Sequence, residues 1–322
     1  MKKAAVLVGI NYYSVPNARL NGCINDINNI SQVMTRHFNY APENITKLSD
    51  DTTNPSLIPN RTNILTHLTK LINDSASYSE IWFHYSGHGS QIRDVNRDET
   101  DGLDEVIIPV DFQTSGVITD DELFQIIKLS KCKTILVFDS CHSASVCDLQ
   151  WKFEYVTKNQ FRKSSASNKY IPYPYIYCFS GCKDNQTAAD TYSNVLKQGV
   201  GAFTDAMIHC LTVNNMKINA LHLHAAICTH VKSQGFTQTP MFSSSSPAPF
   251  YNFVSTAIPI KINSVLSAST PVKKSMPDAK KINMNSIFSF DTTPDISNSN
   301  RTLQMDLTTK RNRMSIKMGW HY

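Results

Sequence analysis

Nowhere in its 322 residues does the chain carry eighteen apolar residues in succession, so it encodes no transmembrane helix. It lacks the glycine-rich loop that cradles a nucleotide's phosphates. It shows no repeat at the periods of solenoids or propellers. Its eight cysteines are scattered rather than set at small-scaffold spacing, which excludes a disulfide-stapled miniprotein. A reducing, intracellular and cytoplasmic setting is the expectation. Cys178-x-x-x-Cys182 has no second pair, and His222-x-His224 lies in a helical pattern that would face the two rings apart, so neither reads as a metal site. The apolar run Ala4–Ile10 is short and is followed by no small-residue cleavage site. It reads as a first buried strand rather than a signal peptide.

Hydrophobic residues make up 41% of the chain and charged residues 18%, the balance of a chain with a buried core. The formal charge of +5 is unevenly placed. Residues 256–322 hold ten Lys/Arg against four Asp, leaving 21 basic and 22 acidic residues elsewhere. A near-neutral body excludes a nucleic-acid-binding domain. The sequence divides into a domain over 1–254 and a basic, low-complexity, flexible tail over 255–322.

Within 1–254, apolar runs alternate with helical stripes. Ala4–Ile10, Ile45–Leu48, Ile81–Tyr85, Thr134–Phe138 and Ile176–Phe179 read as strands. Ile24–Phe38, Ile64–Ile72, Leu123–Leu129, Ala202–Val213 and Ala220–Val231 read as helices, the third capped by Thr119, Asp120 or Asp121. This alternation predicts an α/β fold with a mostly parallel sheet covered on both faces. The polar, basic segment 152–174 ends in Pro172 and Pro174 and reads as an exposed loop.

In parallel sheets, ligands bind beyond the carboxyl ends of the strands. The third strand runs into Ser86-Gly87-His88-Gly89-Ser90 and the fourth into Asp139-Ser140-Cys141-His142-Ser143. Neighbouring strands would bring His88 and Cys141 together, a pairing suited to thiol nucleophilic catalysis. The Gly89 and Cys141 N–H groups are candidates for holding an oxyanion. His142 is a rival base, ranked below His88 because adjacent side chains point in different directions. Which group orients the His88 ring cannot be read from the sequence.

His84-Tyr85-Ser86-Gly87-His88-Gly89-Ser90 and Asp139-Ser140-Cys141-His142-Ser143 resemble the signature blocks of metacaspases, which are caspase-like cysteine peptidases. Leu20–Asp26, Ser180–Ala188, Gly201–Thr204 and Gln238–Pro240 resemble further blocks of that family, in its order. The resemblance implies a three-layer α/β/α sandwich around a mostly parallel six-stranded sheet. It implies a His88/Cys141 dyad and a specificity pocket lined by Cys23, Asp26, Ser86 and Asp139. Two carboxylates suit a guanidinium or ammonium, so cleavage of protein or peptide substrates after Arg or Lys is expected. The resemblance also implies activation by Ca²⁺ at Asp104, Asp120 and Asp121, within an acidic stretch that includes Asp94, Asp98, Glu99, Asp101 and Glu105. Residues 94–105 touch the EF-hand pattern, but Glu99 stands where its turn glycine belongs.

Lys152, Lys158, Arg162, Lys163 and Lys169 make the basic segment a target for calcium-triggered self-cleavage. A monomer with no nucleic-acid partner is expected. The rival readings are a caspase-fold interaction protein with weak or lost activity, and a caspase-fold peptidase of different specificity.

Overall fold

The computed structural model describes residues 2–15, 17–94, 102–141, 146–157, 160–167, 169–181, 190–193 and 198–256, the segment 190–193 by its backbone alone. The expected tail lies almost wholly outside these residues. The chain opens with β1 (Lys3–Gly9), α1 (Cys23–His37), β2 (Ile45–Ser49), α2 (Arg61–Asn73) and β3 (Glu80–Ser86). Next come β4 (Gly89–Arg93), β5 (Leu103–Ile107), a single turn α3 (Phe112–Ser115), β6 (Ile118–Thr119), α4 (Asp120–Ile127) and β7 (Lys133–Asp139). The remainder is β8 (Trp151–Thr157), β9 (Gln160–Ser165), β10 (Ile176–Ser180), β11 (Asp190–Ser193), β12 (Gln198–Gly201), α5 (Ala202–Val213), β13 (Lys217–Asn219), α6 (Ala220–Ser233), β14 (Met241–Ser244) and β15 (Asn252–Val254).

Strands β3 and β7 are buried at nearly every position. Such continuous burial requires cover on both faces. Residues of alternate parity supply the two faces. Ala5, Leu7, Trp82, Ile135, Val137 and Phe179 join Ile27, Ile30 and Met34 of α1, Phe203 and Met207 of α5, and Leu223 and Ile227 of α6 in one core. Helices α2 and α4 contact each other and bury Ile64, Leu68, Leu123 and Phe124 outside that core. The result is helix, sheet, helix, with β2, β1, β3, β7 and β10 parallel and β14 antiparallel at the end of that row.

The six expected strands are extended by two. β14 pairs with β8, and β8 with β9, giving an eight-stranded sheet among the described residues. Most of the segment expected to be an exposed loop is therefore a hairpin. Its polar composition hides a period of two. Phe153 is buried against Phe242, 5.7 Å between ring centres, while Lys152 and Glu154 flank it. Lys163 lies over the Trp151 ring at 5.1 Å and Phe161 meets Tyr155, so the outer strand is held by cross-strand pairs rather than by burial.

Buried polar groups tie distant elements together. Glu80 accepts from Lys3 Nζ (2.8 Å), Tyr40 OH (3.0 Å) and Tyr251 OH (3.0 Å). Thr119 and Glu122 form a reciprocal capping box on α4, which carries Asp120 and Asp121. Thr119→Ala is expected to cost about 1 kcal/mol. Urea unfolding of the Cys141→Ala protein with and without that change measures it.

Candidate active site

The register of the central strands sets the site. Ser86 of β3 stands opposite Asp139 of β7, and Gly9 of β1 opposite Ser86. Both chains leave the sheet at that edge and remain in contact. The Gly87 N–H donates to the Asp139 carbonyl at 3.3 Å. A Cβ on Gly89 would sit 2.1 Å from the Cys141 carbonyl oxygen. Only a glycine lets the segment bearing His88 lie against the segment bearing Cys141.

Main-chain and aromatic partners fix His88. Its N–H donates to Tyr12 OH (2.9 Å), its carbonyl accepts from Tyr85 OH (2.7 Å), and its ring packs 4.6 Å from the Tyr12 ring. Nε2 lies 2.7 Å from the Ala18 carbonyl. A carbonyl only accepts, so Nε2 carries the proton and Nδ1 keeps its lone pair. Ala18 and Tyr12 are the orienting groups that sequence reasoning did not reach. A carbonyl can come from any residue type, so no side chain announced it. Burial holds the His88 pKa below the ordinary 6.5, with the Ala18 hydrogen bond acting in the opposite direction. Cys141 is half-buried at the end of β7, and the rival His142 lies outside the described residues.

The Gly89 N–H has a defined direction. Ile108 N–H donates to the His88 carbonyl at 3.2 Å, and Gly89 stands opposite Ile107. Antiparallel pairs alternate between bonded and non-bonded, so Gly89 falls in a non-bonded pair and its N–H points away from β5.

Beside this edge two buried carboxylates converge. Asp26, one turn into α1, accepts from Ser86 Oγ (2.6 Å) and from the Gly201 N–H (2.9 and 3.0 Å). Asp139 accepts from the Thr204 N–H at 2.8 Å. A Cβ on Gly201 would lie 2.2 Å from an Asp139 oxygen and 2.7 Å from an Asp26 oxygen, so the two side chains meet at this glycine. Gly201 caps α5, and its N-terminal N–H groups hold the pair of anions. Cys23 opens α1 three residues before Asp26, with its N–H on Asn11 Oδ1 at 3.1 Å. Thus Cys23, Asp26, Ser86 and Asp139 are brought to one edge. Cys182–Ala188 of the resembling loop lies outside the described residues.

The acidic residues form a second centre. Asp104 and Glu105 of β5, Asp120 at the start of α4, and Asp148 are buried. Asp120 accepts from the Asp121 N–H (2.8 Å) and the Glu105 N–H (3.1 Å). Its pKa is pushed up to about 8 by burial first and then by the charges of Asp148 and Glu105. Lys169 Nζ reaches Asp148 (2.7 Å) and Asp121 (2.8 Å). Sequence reasoning missed Asp148, which follows Cys141 by seven residues and carries a positive φ of 46° that aspartate tolerates. The donors are all hard oxygens, which suits Ca²⁺ in kind. Among the described residues, no three His, Cys, Asp or Glu side chains are drawn together closely enough to hold an ion as they stand. The EF-hand pattern finds no helices here. Asp94 follows β4 and Gly102 precedes β5, two antiparallel strands, and residues 95–101 lie outside the described set.

The weaker candidates are structural. His224 is buried beside Phe161 and Phe242, its pKa lowered to about 4 by desolvation. His222 sits in the first turn of α6, its N–H capped by Asn219. Cys178 is buried in β10. No described helix is long and apolar enough to cross a membrane.

The architecture is caspase-like. It aligns with a Geobacter sulfurreducens protein at a TM-score of 0.54 and 21% identity, covering 76% of this chain and 94% of that one. With caspase-1 from Spodoptera frugiperda the TM-score is 0.50 and the identity 11%, over 76% and 87% of the two chains. The profile of the metacaspase, peptidase C14 domain matches residues 2–150. Metacaspase-1 of Schizosaccharomyces pombe is 34% identical over 296 residues, 76% of this chain and 68% of that protein. Metacaspase-1B of Neurospora crassa is 33% identical, over 76% and 66%. The chain belongs to the metacaspase family of cysteine-type endopeptidases, and spans about two thirds of these relatives' length.

Tyr12→Phe keeps the ring against His88 but leaves the part-buried His88 N–H without its acceptor. The expected loss is about 1–3 kcal/mol, with lower kcat and little change in KM. Thermal unfolding and steady-state kinetics on one preparation check both.

Proposed function

We propose that this chain is a Ca²⁺-dependent endopeptidase that cuts after Arg or Lys, with Cys141 as nucleophile and His88 as proton carrier. The convergence of two buried carboxylates, Asp26 and Asp139, beside the edge that holds His88 and Cys141 carries the reading. A substrate guanidinium or ammonium neutralises them, aided by the Ser86 hydroxyl and Cys23. Asp and Glu side chains are repelled from the same pocket.

In the reaction His88 Nδ1 takes the Cys141 thiol proton, and sulfur attacks the scissile carbonyl carbon. The Gly89 and Cys141 N–H groups hold the resulting oxyanion. As the C–N bond breaks, His88 delivers its proton to the leaving amine. Water, deprotonated by the same ring, then releases the acyl group from sulfur.

Asp104, Asp120 and Asp121, joined by Asp148, are the residues that would hold Ca²⁺. The ion would supply positive charge to a set of carboxylate oxygens of the kind it prefers. Self-cleavage within 152–174 belongs to the same reading. Lys152, Arg162 and Lys163 lie in paired strands, which leaves Lys169 the best placed of the described basic residues. The exposed edge strand β9 carries Arg162 and Lys163, charges that discourage pairing with another copy, in keeping with a monomer. The scattered cysteines favour a reducing, cytoplasmic setting.

Fluorogenic peptides ending in Arg, Lys or Asp, assayed with Ca²⁺ or with chelator, test the proposal against the Cys141→Ala blank. Release after Arg or Lys that needs Ca²⁺ and vanishes in the blank is expected. Release after Asp points to a different specificity, and no release by folded protein points to an interaction role. Because burial lowers the His88 pKa, the neutral ring persists as pH falls below 6.5, and the acid limb of kcat/KM should lie below that value. A limb above 6.5 counts against His88 as the base.

A further inference from the structure

We propose that Lys169 is the chain's own occupant of the acidic centre, and that a divalent cation binds there by displacing it. Cation binding and release of the segment around Lys169 are then one event. The inference rests on the calcium reading above and goes beyond it.

Lys169 is inserted rather than draped over the surface. Its ammonium lies 2.7 Å from Asp148 Oδ2 and 2.8 Å from Asp121 Oδ1, residues that reach it from two different parts of the fold. Its side chain is only 23% exposed, and its ammonium lies 5.5 Å from the centre of the Phe124 ring. Aromatic face and carboxylates together form a seat for a cation. Asp148 in turn lies close enough to Asp120 for its charge to act on that carboxyl, so the seat belongs to the acidic centre. A dication bound to Asp121 and Asp148 needs the lone pairs the ammonium now uses, and like charges at that separation repel strongly away from water. The two cations therefore exclude each other.

Displacement has a mechanical result. The Ala166 N–H holds the Gln150 carbonyl at 2.8 Å, and the Tyr175 carbonyl accepts from the Thr134 N–H at 2.9 Å. Between these ends Tyr170 is 77% exposed, while Ile171 is buried and Lys169 is ion-paired. Without the ion pairs, the burial of Ile171 and the hydrogen bond from Ser245 Oγ to the Tyr173 carbonyl (3.3 Å) still hold the segment, but its opening free energy falls. Lys169 then passes from a shielded counter-ion to a basic residue on accessible chain. Under the proposed specificity that is a cleavage site, and the cation sets the order: binding first, cutting second.

Titration calorimetry of calcium chloride into the Cys141→Ala protein, and into the same protein carrying Lys169→Gln, tests this without turnover. Removal of the internal competitor should tighten the calcium Kd about tenfold. An equal or weaker Kd in the Gln variant overturns the role of Lys169 and leaves the calcium reading intact. Absence of binding by the Lys169 parent overturns the calcium reading itself. Should the Gln variant fail to fold, amide hydrogen exchange on the parent decides. Faster exchange over 166–175 with calcium is expected, and unchanged exchange overturns the displacement.

Discussion

The in-register parallel pairing of β3 with β7 is the constraint on which the site depends. It sets Ser86 against Asp139, and so places His88 and Cys141 each two residues beyond a matched pair. A slip of one residue would turn every β7 side chain to the opposite face, carrying Asp139 away from α5 and Cys141 away from Gly89. The different shapes of Ile135 and Val137 on one face and Leu136 and Phe138 on the other make that slip costly, because each set is close-packed against its own neighbours. Packing deep in the sheet thereby fixes the geometry of groups that do no packing themselves.

The parts of this arrangement that side chains encode were legible in the sequence. The five parallel strands, the helices over 202–213 and 220–231 and a cap at Thr119, Asp120 or Asp121 follow from period and capping chemistry, and the structure has them, with Thr119 as the cap. The outer hairpin was not legible, because β9 is polar and exposed and its partner alternates only over a few residues. Main-chain partners were invisible for a different reason. The Ala18 carbonyl and the Gly201 and Thr204 N–H groups act through atoms that every residue possesses. Asp148 escaped because one acidic residue after Cys147 carries no pattern; only the fold shows what lies opposite it.

Three groups of buried acid are stabilised in three different ways. Asp26 and Asp139 rest on the N-terminal amides of α5, fixed dipoles that hold the anions without adding a full opposite charge. In the proposed pocket their charge would act on an entering basic side chain. Asp121 and Asp148 hold a lysine, a full charge on a flexible stem that can leave. Glu80 is bound to an ammonium and two phenols at once, an arrangement that no ligand can enter and that serves only the fold. The kind of counter-charge thus distinguishes the proposed pocket from the proposed switch, and both from a structural anchor.

The Glu80 anchor has a consequence for how the molecule is made. Its partners lie 77, 40 and 171 residues away along the chain, the most distant being Tyr251. A ribosome adding about 5–20 residues per second leaves this carboxylate without its last donor for on the order of ten seconds after Glu80 is synthesised. During that time the central strand cannot be sealed without burying an under-satisfied acid. The sheet therefore closes only when the C-terminal strands arrive, and the edge that carries Cys141 matures no earlier than the end of the domain.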